Sequence, residues 1–242
     1  MISEFSTTDY KVEFKSVTRS KAKWGEQFMI NNLYLLIKFG EQQYMQDLYE
    51  NGTLFFRKVK KFRNDDNIQR EDKNEGISHS LQLSRFAMYV NGKNFSLSDN
   101  GYVSIDHYPN IDFLSYSMYA LTTEHFKVKD GIYIDTRNFE FGDTCVIIKD
   151  INEFYKRIQK YCNDTKIYAK AKPIEYVNPF KYDDKMDLFK KYNTHEHQSE
   201  WRILLHDPNN EHDCFKIKLG SLKDIADIMP SKKINEAIKF VI

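Results

Sequence analysis

His195-Glu196-His197-Gln198-Ser199-Glu200-Trp201-Arg202-Ile203-Leu204-Leu205 is the stretch on which the reading of this chain turns. Trp201, Ile203 and Leu205 alternate with Glu200, Arg202 and Leu204, the period-two pattern of a pleated segment with two distinct faces. A strand is therefore expected, with Gln198, Glu200 and Arg202 on one side and Trp201 and Ile203 anchoring the other. A carboxylate between an amide and a guanidinium on a rigid element is a good place to hold a site. The same row also fits an edge strand whose polar face meets water.

Downstream, Pro208-Asn209-Asn210 turns the chain, and residues 214–219 are expected to return beside the strand as a hairpin partner. Ser221 and Ser231 have the character of N-caps for two short terminal helices, the first with Asp224 at the capping-box position. Upstream, the spacing of Met186 and Phe189 predicts a helix over 183–192, after an extended stretch over 166–177. The clearest helix signal opens at Asp150, an N-cap with Glu153 three residues on; Ile151, Phe154, Ile158 and Tyr161 then recur on one face. Short strands are expected over 132–134 and 145–148. A middle strand over 113–120 places Ser115, Ser117 and Tyr119 together.

Nearer the start, residues 31–39 form the first convincing strand, with Tyr34, Leu36 and Lys38 opposite Leu35, Ile37 and Phe39. A helix over 41–50 stops at Asn51-Gly52, and a strand follows over 53–59. Residues 77–98 are expected to form a hairpin about Asn91-Gly92, since both positions of that turn tolerate positive φ. Residues 64–76 make a charged loop with too few apolar side chains for a buried element. Residues 1–27 are polar and aperiodic, an irregular arm before a single domain over 28–242. Many short strands and few helices, without regular alternation, define an α+β class.

Composition narrows the function. Of 242 residues, 41% are hydrophobic, enough for a sizeable core and too many for a disordered chain. No G-x-G-x-x-G or G-x-x-x-x-G-K-[ST] pattern occurs, so neither glycine-dependent phosphate loop is present. Lys+Arg 36 against Asp+Glu 35 gives a net charge of +1, and any attraction to a polyanion must be local. Arg57, Lys58, Lys60, Lys61 and Arg63, beside Phe55, Phe56 and Phe62, form the best local footprint for nucleic acid. A solvated strand end whose phenylalanines are core competes with that reading. Three separated cysteines suit reduced thiols in a cytoplasm. No apolar run suggests a leader or membrane span. His195, His197, His206, His212 and Cys214 lack the spacing of a metal motif, and no metal is assigned. No G-x-S-x-G elbow appears either.

Gln198-x-Glu200 on a late strand, Ser115-x-Ser117 on a middle strand and Tyr34 with Lys38 on a first strand resemble, in order and context, the mono-ADP-ribosyltransferase toxins. Those proteins carry an Arg or His strand, an S-T-S strand and a Q/E-x-E strand. Arg70-x-Asp72-x-x-Glu75-Gly76, Phe189-Lys190-Lys191 and Gln198-x-Glu200-Trp201-Arg202 extend the likeness to compact bacterial proteins of this type, some of them phage-defence toxins with nucleic-acid targets. The resemblance implies two packed, mainly antiparallel sheets with flanking helices, NAD as co-substrate, and an RNA, DNA or protein acceptor. It also implies a possible antitoxin partner. Glu200 and Gln198 would be catalytic, and Tyr34, Lys38, Arg70, Ser115 and Ser117 would hold the cofactor. Cleavage of the bond from nicotinamide to ribose develops positive charge on the sugar, which an ionised Glu200 could stabilise. Arg70 or Lys38 could pair with the pyrophosphate. A non-catalytic nucleic-acid-binding or defence-interaction module, with Glu200 structural, is the alternative.

Overall fold

The computed structural model describes residues 33–66, 70–98, 100–106, 113–122, 125, 133–207 and 211–238. The expected arm over 1–27 and the side chain of Tyr34 lie outside the described residues.

The long strand β7 (Phe113–Thr122) organises the largest sheet, because both of its edges are used. Along one edge runs β13 (Glu200–His206), antiparallel, with Glu200 opposite Tyr119 and Arg202 opposite Ser117. Beyond it lies β9 (Ala169–Pro173). The other edge is shared end to end. β1 (Leu33–Gly40) takes the far end through Ile37 opposite Tyr119, and β2 (Thr53–Lys58) takes the near end through Arg57 opposite Ser115. Helix α1 (Gln42–Asn51) joins these two strands, which do not pair with each other. Its stop at Gly52 is forced: φ is 61°, and a Cβ there would sit 2.2 Å from the Gly220 carbonyl oxygen. β8 (Thr144–Ile148) and β15 (Ala226–Pro230) extend the β1 side, and β14 (Cys214–Lys218) extends the β2 side, completing eight antiparallel strands.

Alternation along the strands makes two cores. Trp201, Ile203 and Leu205 face Leu36, Met118 and the apolar stripe of α2 (Ile151–Thr165), namely Ile151, Phe154, Ile158 and Cys162. On the opposite face Leu35, Ile37, Tyr119 and Leu121 form a second cluster, and Val59, Ile174, Phe189 and Leu204 a third. Between these two patches stand Ser117, Glu200 and Arg202. Smaller sheets complete the α+β architecture. β11 (Asp184–Lys185), β3 (His79–Gln82) and β6 (Tyr102–Ile105) form one, β10 (Glu175–Val177) and β12 (Lys190–Tyr192) a parallel pair, and β4 (Ala87–Val90) with β5 (Lys93–Ser96) a separate hairpin. Its turn has Asn91 and Gly92 at φ 49° and 75°, as the sequence requires.

Several expectations give way to tertiary context. Residues 183–192 hold β11 and β12 in place of a helix, because Met186 and Phe189 are buried by separate clusters. Residues 214–218 pair with β2, not with β13, whose edges are both taken by β7 and β9. The stretch after Ser221 enters β15 in place of a helix, and Asp224 pairs with Arg157 of α2. Ser231 caps nothing: its hydroxyl donates to the Gly142 carbonyl, ahead of a 3-10 turn and the four-residue helix α3 (Ile234–Ala237). Of residues 132–134, Tyr133 and Ile134 are not strand, and residue 132 lies outside the described residues.

Candidate functional site

β13 has no wet face. Every residue from Glu200 to Leu205 is buried, so the polar row must be satisfied internally. Ser117 Oγ donates to Glu200 Oε1 at 2.5 Å across the β7–β13 ladder. Arg202 Nε donates to the same oxygen at 2.7 Å, while its two terminal nitrogens grip Glu75 at 2.7 and 2.8 Å. Lys191 Nζ sits 2.9 Å from Glu200 Oε2 and 3.4 Å from Glu75 Oε2, and donates to Gln198 Oε1 at 3.3 Å. Asp72, 3.9 Å from Lys191, closes the cluster and meets His195 Nε2 at 3.7 Å.

Charge balance explains the protonation states. Burial opposes the charged form of Glu200, but the Arg202 and Lys191 charges, with hydrogen bonds from Arg202 and Ser117, outweigh it. Its carboxyl is held well below the usual carboxylate range. For Glu75 the same contest between burial and the Arg202 and Lys191 charges also ends below that range. Burial likewise works against the ammonium of Lys191, yet Glu200 and Glu75 hold it above its usual value. Three carboxylates thus meet two permanent cations, and the excess falls on Asp72, which burial raises. Burial lowers its neighbour His195.

Lys38 lies where the sheet divides. β1 leaves β7 after Tyr119 and β2 joins it at Ser115, so the Ser117 carbonyl on that edge is open to another donor. Lys38 Nζ donates to it at 2.6 Å and lies 4.6 Å from the centre of the Tyr116 ring. Burial lowers its pKa to about 8, against the attraction of Glu200 and with the repulsion of Arg70. A lysine with a lowered folded value is charged less readily in the native state than in the unfolded chain. Its burial therefore costs stability below pH 8, and that cost is relieved as pH rises from about 8 towards the ordinary 10.5. Chemical denaturation of wild type and Lys38→Met at pH 7.5 and pH 9.5 should show their stability difference moving in the wild type's favour at the higher pH. A pH-independent difference would mean that Lys38 titrates normally.

The residues singled out in the sequence are only partly gathered. Glu200, Ser117 and Lys38 converge. Gln198 joins them too, its Oε1 accepting from the Lys191 ammonium that also meets Glu200, but not by strand alternation, because β13 begins at Glu200. Gln198 ends a 3-10 turn over Asn193–Gln198, and Ser199 adopts a left-handed conformation, φ 38° and ψ 52°, before the strand starts. Ser199 is held there by bonds of its hydroxyl to the Ala120 carbonyl and of its own carbonyl to the Ala120 N–H. A non-glycine residue at positive φ is uncommon and marks a locally over-determined turn. Ser115 is buried two residues from Ser117, its hydroxyl oxygen without a hydrogen-bond partner among the described residues.

Arg70 binds Asp65 through Nε at 3.2 Å, not the carboxylates of the cluster. The five cations of the basic segment share three carboxylates: Arg57 pairs with Asp65, Lys58 and Lys61 with Asp213 at 3.9 and 3.1 Å, and Lys60 and Arg63 with Asp106 at 3.9 and 2.6 Å. Phe56 is fully buried, and Phe55 is exposed.

Residues 64–76, expected to be solvated, contribute the buried carboxylates Asp65, Asp72 and Glu75. They sit inside because Arg57, Lys191 and Arg202 are there to meet them, and Arg63 Nε fixes the Glu75 carbonyl at 2.5 Å. Glu75, Lys191 and Arg202 stand within the sequence motifs, but nothing in their spacing shows that they meet. Tyr176, whose hydroxyl accepts the Glu200 N–H at 2.9 Å, carries no signal in the sequence at all. Among the described residues no group of three or more potential ligands could hold a metal ion. No described helix is long and apolar enough to cross a membrane.

Comparison of the chain with protein-family models, with curated proteins and with solved structures finds no match in any of the three.

Proposed function

We propose that this chain is an NAD-dependent ADP-ribosyltransferase that modifies a macromolecule, RNA or DNA, as a cytoplasmic bacterial toxin of phage defence. The observation that carries the reading is the 2.5 Å contact between Ser117 and an ionised Glu200 on adjacent strands, with Lys38 bound to the carbonyl of that same serine. In the transfer, the bond from the ribose anomeric carbon to nicotinamide breaks and its electron pair leaves with neutral nicotinamide. A lone pair of the acceptor then bonds the same carbon and the acceptor loses a proton. A carboxylate held far below the usual range is a poor proton acceptor at neutral pH. Glu200 therefore acts by charge, stabilising the oxocarbenium-like sugar. Lys38 offers a cation to the diphosphate. The toxin role and the antitoxin partner rest on the resemblance alone.

A second reading has its own support. Glu200 is 4% exposed with both oxygens engaged, as expected of a structural ion cluster in a non-catalytic module. Incubating the protein with NAD and RNA, DNA or protein acceptors, and measuring released nicotinamide, separates the two. Release that requires an acceptor supports the transferase and identifies the acceptor class. No release with any of them leaves the structural cluster as the function of Glu200.

A further inference from the structure

β14 is the outermost strand of the large sheet on its β2 side, and the two strands carry their polar residues on one face. Leu54, Phe56 and Ile217 point into the core shared with α2. Phe55 and Arg57 of β2 and Lys216 and Lys218 of β14 therefore stand on the opposite face, the one that bears Ser117 and Glu200. Lys216 lies directly across from Phe55, and its Nζ is 5.7 Å from the centre of that ring, which is 44% exposed. Arg57 lies across from Cys214 on one side and from Ser115 on the other, two residues short of Ser117. The face thus runs without a break from the sheet edge to the serine that bonds Glu200.

Charge decides what this face meets. Arg57, Lys58, Lys60, Lys61, Arg63 and Arg70 share Asp65, Asp106 and Asp213, and Asp65 answers both Arg57 and Arg70. Buried Asp207, bound by His212 and attracted by Lys58, adds a fourth carboxylate. Lys216 and Lys218 are exposed and make no ion pair with any described residue. Eight cations on and beside the face thus stand against four carboxylates, and the excess is complementary to a polyanion. The ring decides which one. An exposed aromatic with an ammonium at its face suits a stacked base and its phosphate. The bases of a duplex are already stacked on each other, and an acidic protein would meet the cations but leave the ring without a stacking partner.

We propose that the β2–β14 face binds single-stranded nucleic acid, with Phe55 stacking on a base and Lys61, Lys216 and Lys218 contacting phosphates. As the path by which an acceptor reaches Glu200, it rests on the transferase reading; the binding itself is measured without NAD.

Fluorescence anisotropy of labelled 20-nucleotide RNA and DNA single strands, titrated with the full chain, tests it. Phe55→Leu keeps apolar bulk but removes the ring, and should weaken binding about tenfold. Lys216→Gln/Lys218→Gln should lower the slope of log affinity against log salt by about 1.4, or ~0.7 for each phosphate contact. Lys232→Gln/Lys233→Gln, next to β15 at the opposite edge of the sheet, removes the same charge and should change affinity by less than about twofold. All three variants should melt with the wild type, since the altered side chains are exposed. Absence of binding by the wild type, tighter binding of duplex or of polyglutamate than of single strands, full affinity in Phe55→Leu, or an equal loss in Lys232→Gln/Lys233→Gln would each overturn it. Normal binding without nicotinamide release would remove the transferase reading and leave this one.

Discussion

Arg202→Met should destabilise the protein by about 3–5 kcal/mol, because it removes the cation that two buried carboxylates share. The methionine fills most of the arginine's volume, so packing alone does not produce this loss. What remains is Glu75 and Glu200 facing each other with only Lys191 between them, each nearly without access to water. For a domain of this size such a loss lowers the melting temperature by about 6–20 °C. The pH dependence carries the signature. In the wild type both glutamates are held below their ordinary 4.5, so their stabilising contribution is present above that value and is lost as pH falls through the lowered folded values. Without Arg202 the folded values rise, and the acid-unfolding midpoint moves to higher pH. Arg202→Met/Glu75→Gln leaves the Glu200–Lys191 pair balanced and should recover a large part of the loss. A single variant that melts with the wild type would show that the cluster is solvated in solution.

Glu200→Gln should lower nicotinamide release about 10²–10³-fold, the range for losing one preorganised charge at a developing transition state. Glutamine keeps the shape and an oxygen for Ser117 and Arg202 but not the charge. Melting curves run alongside separate lost chemistry from lost folding. Ser117→Ala should cost less, about tenfold, since it removes one hydrogen bond to the carboxylate and leaves both cations. Equal release by wild type and Glu200→Gln would remove Glu200 from the chemistry, whatever the acceptor.

Legibility followed interaction range. Helix α2 is written locally, with Asp150 capping the Glu153 N–H at 2.9 Å and a stripe at helical spacing. The Asn91-Gly92 turn and the Gly52 stop are likewise set by backbone preferences within a few residues. The failures are all long-range. Met186 and Phe189 sit at helical spacing and yet serve different clusters, so contacts distant in sequence override propensity. Gln198 does reach the ammonium that Glu200 meets, but through the left-handed turn at Ser199 and not by the period-two count, and that turn is fixed by Ala120, 79 residues away.

The sequence by itself determined that Glu200, Trp201, Arg202 and Ile203 form a two-faced strand, and that Ser115 and Ser117 share a face of another. Alternation is a property of the backbone and needs no partner. Only the tertiary structure decided that the polar face of this strand would be dry. Glu75 lies 127 residues from Arg202, and Ser117 lies 83 from Glu200. Such charges can be buried only where folding brings their counter-charges within hydrogen-bonding distance. No local pattern records that meeting.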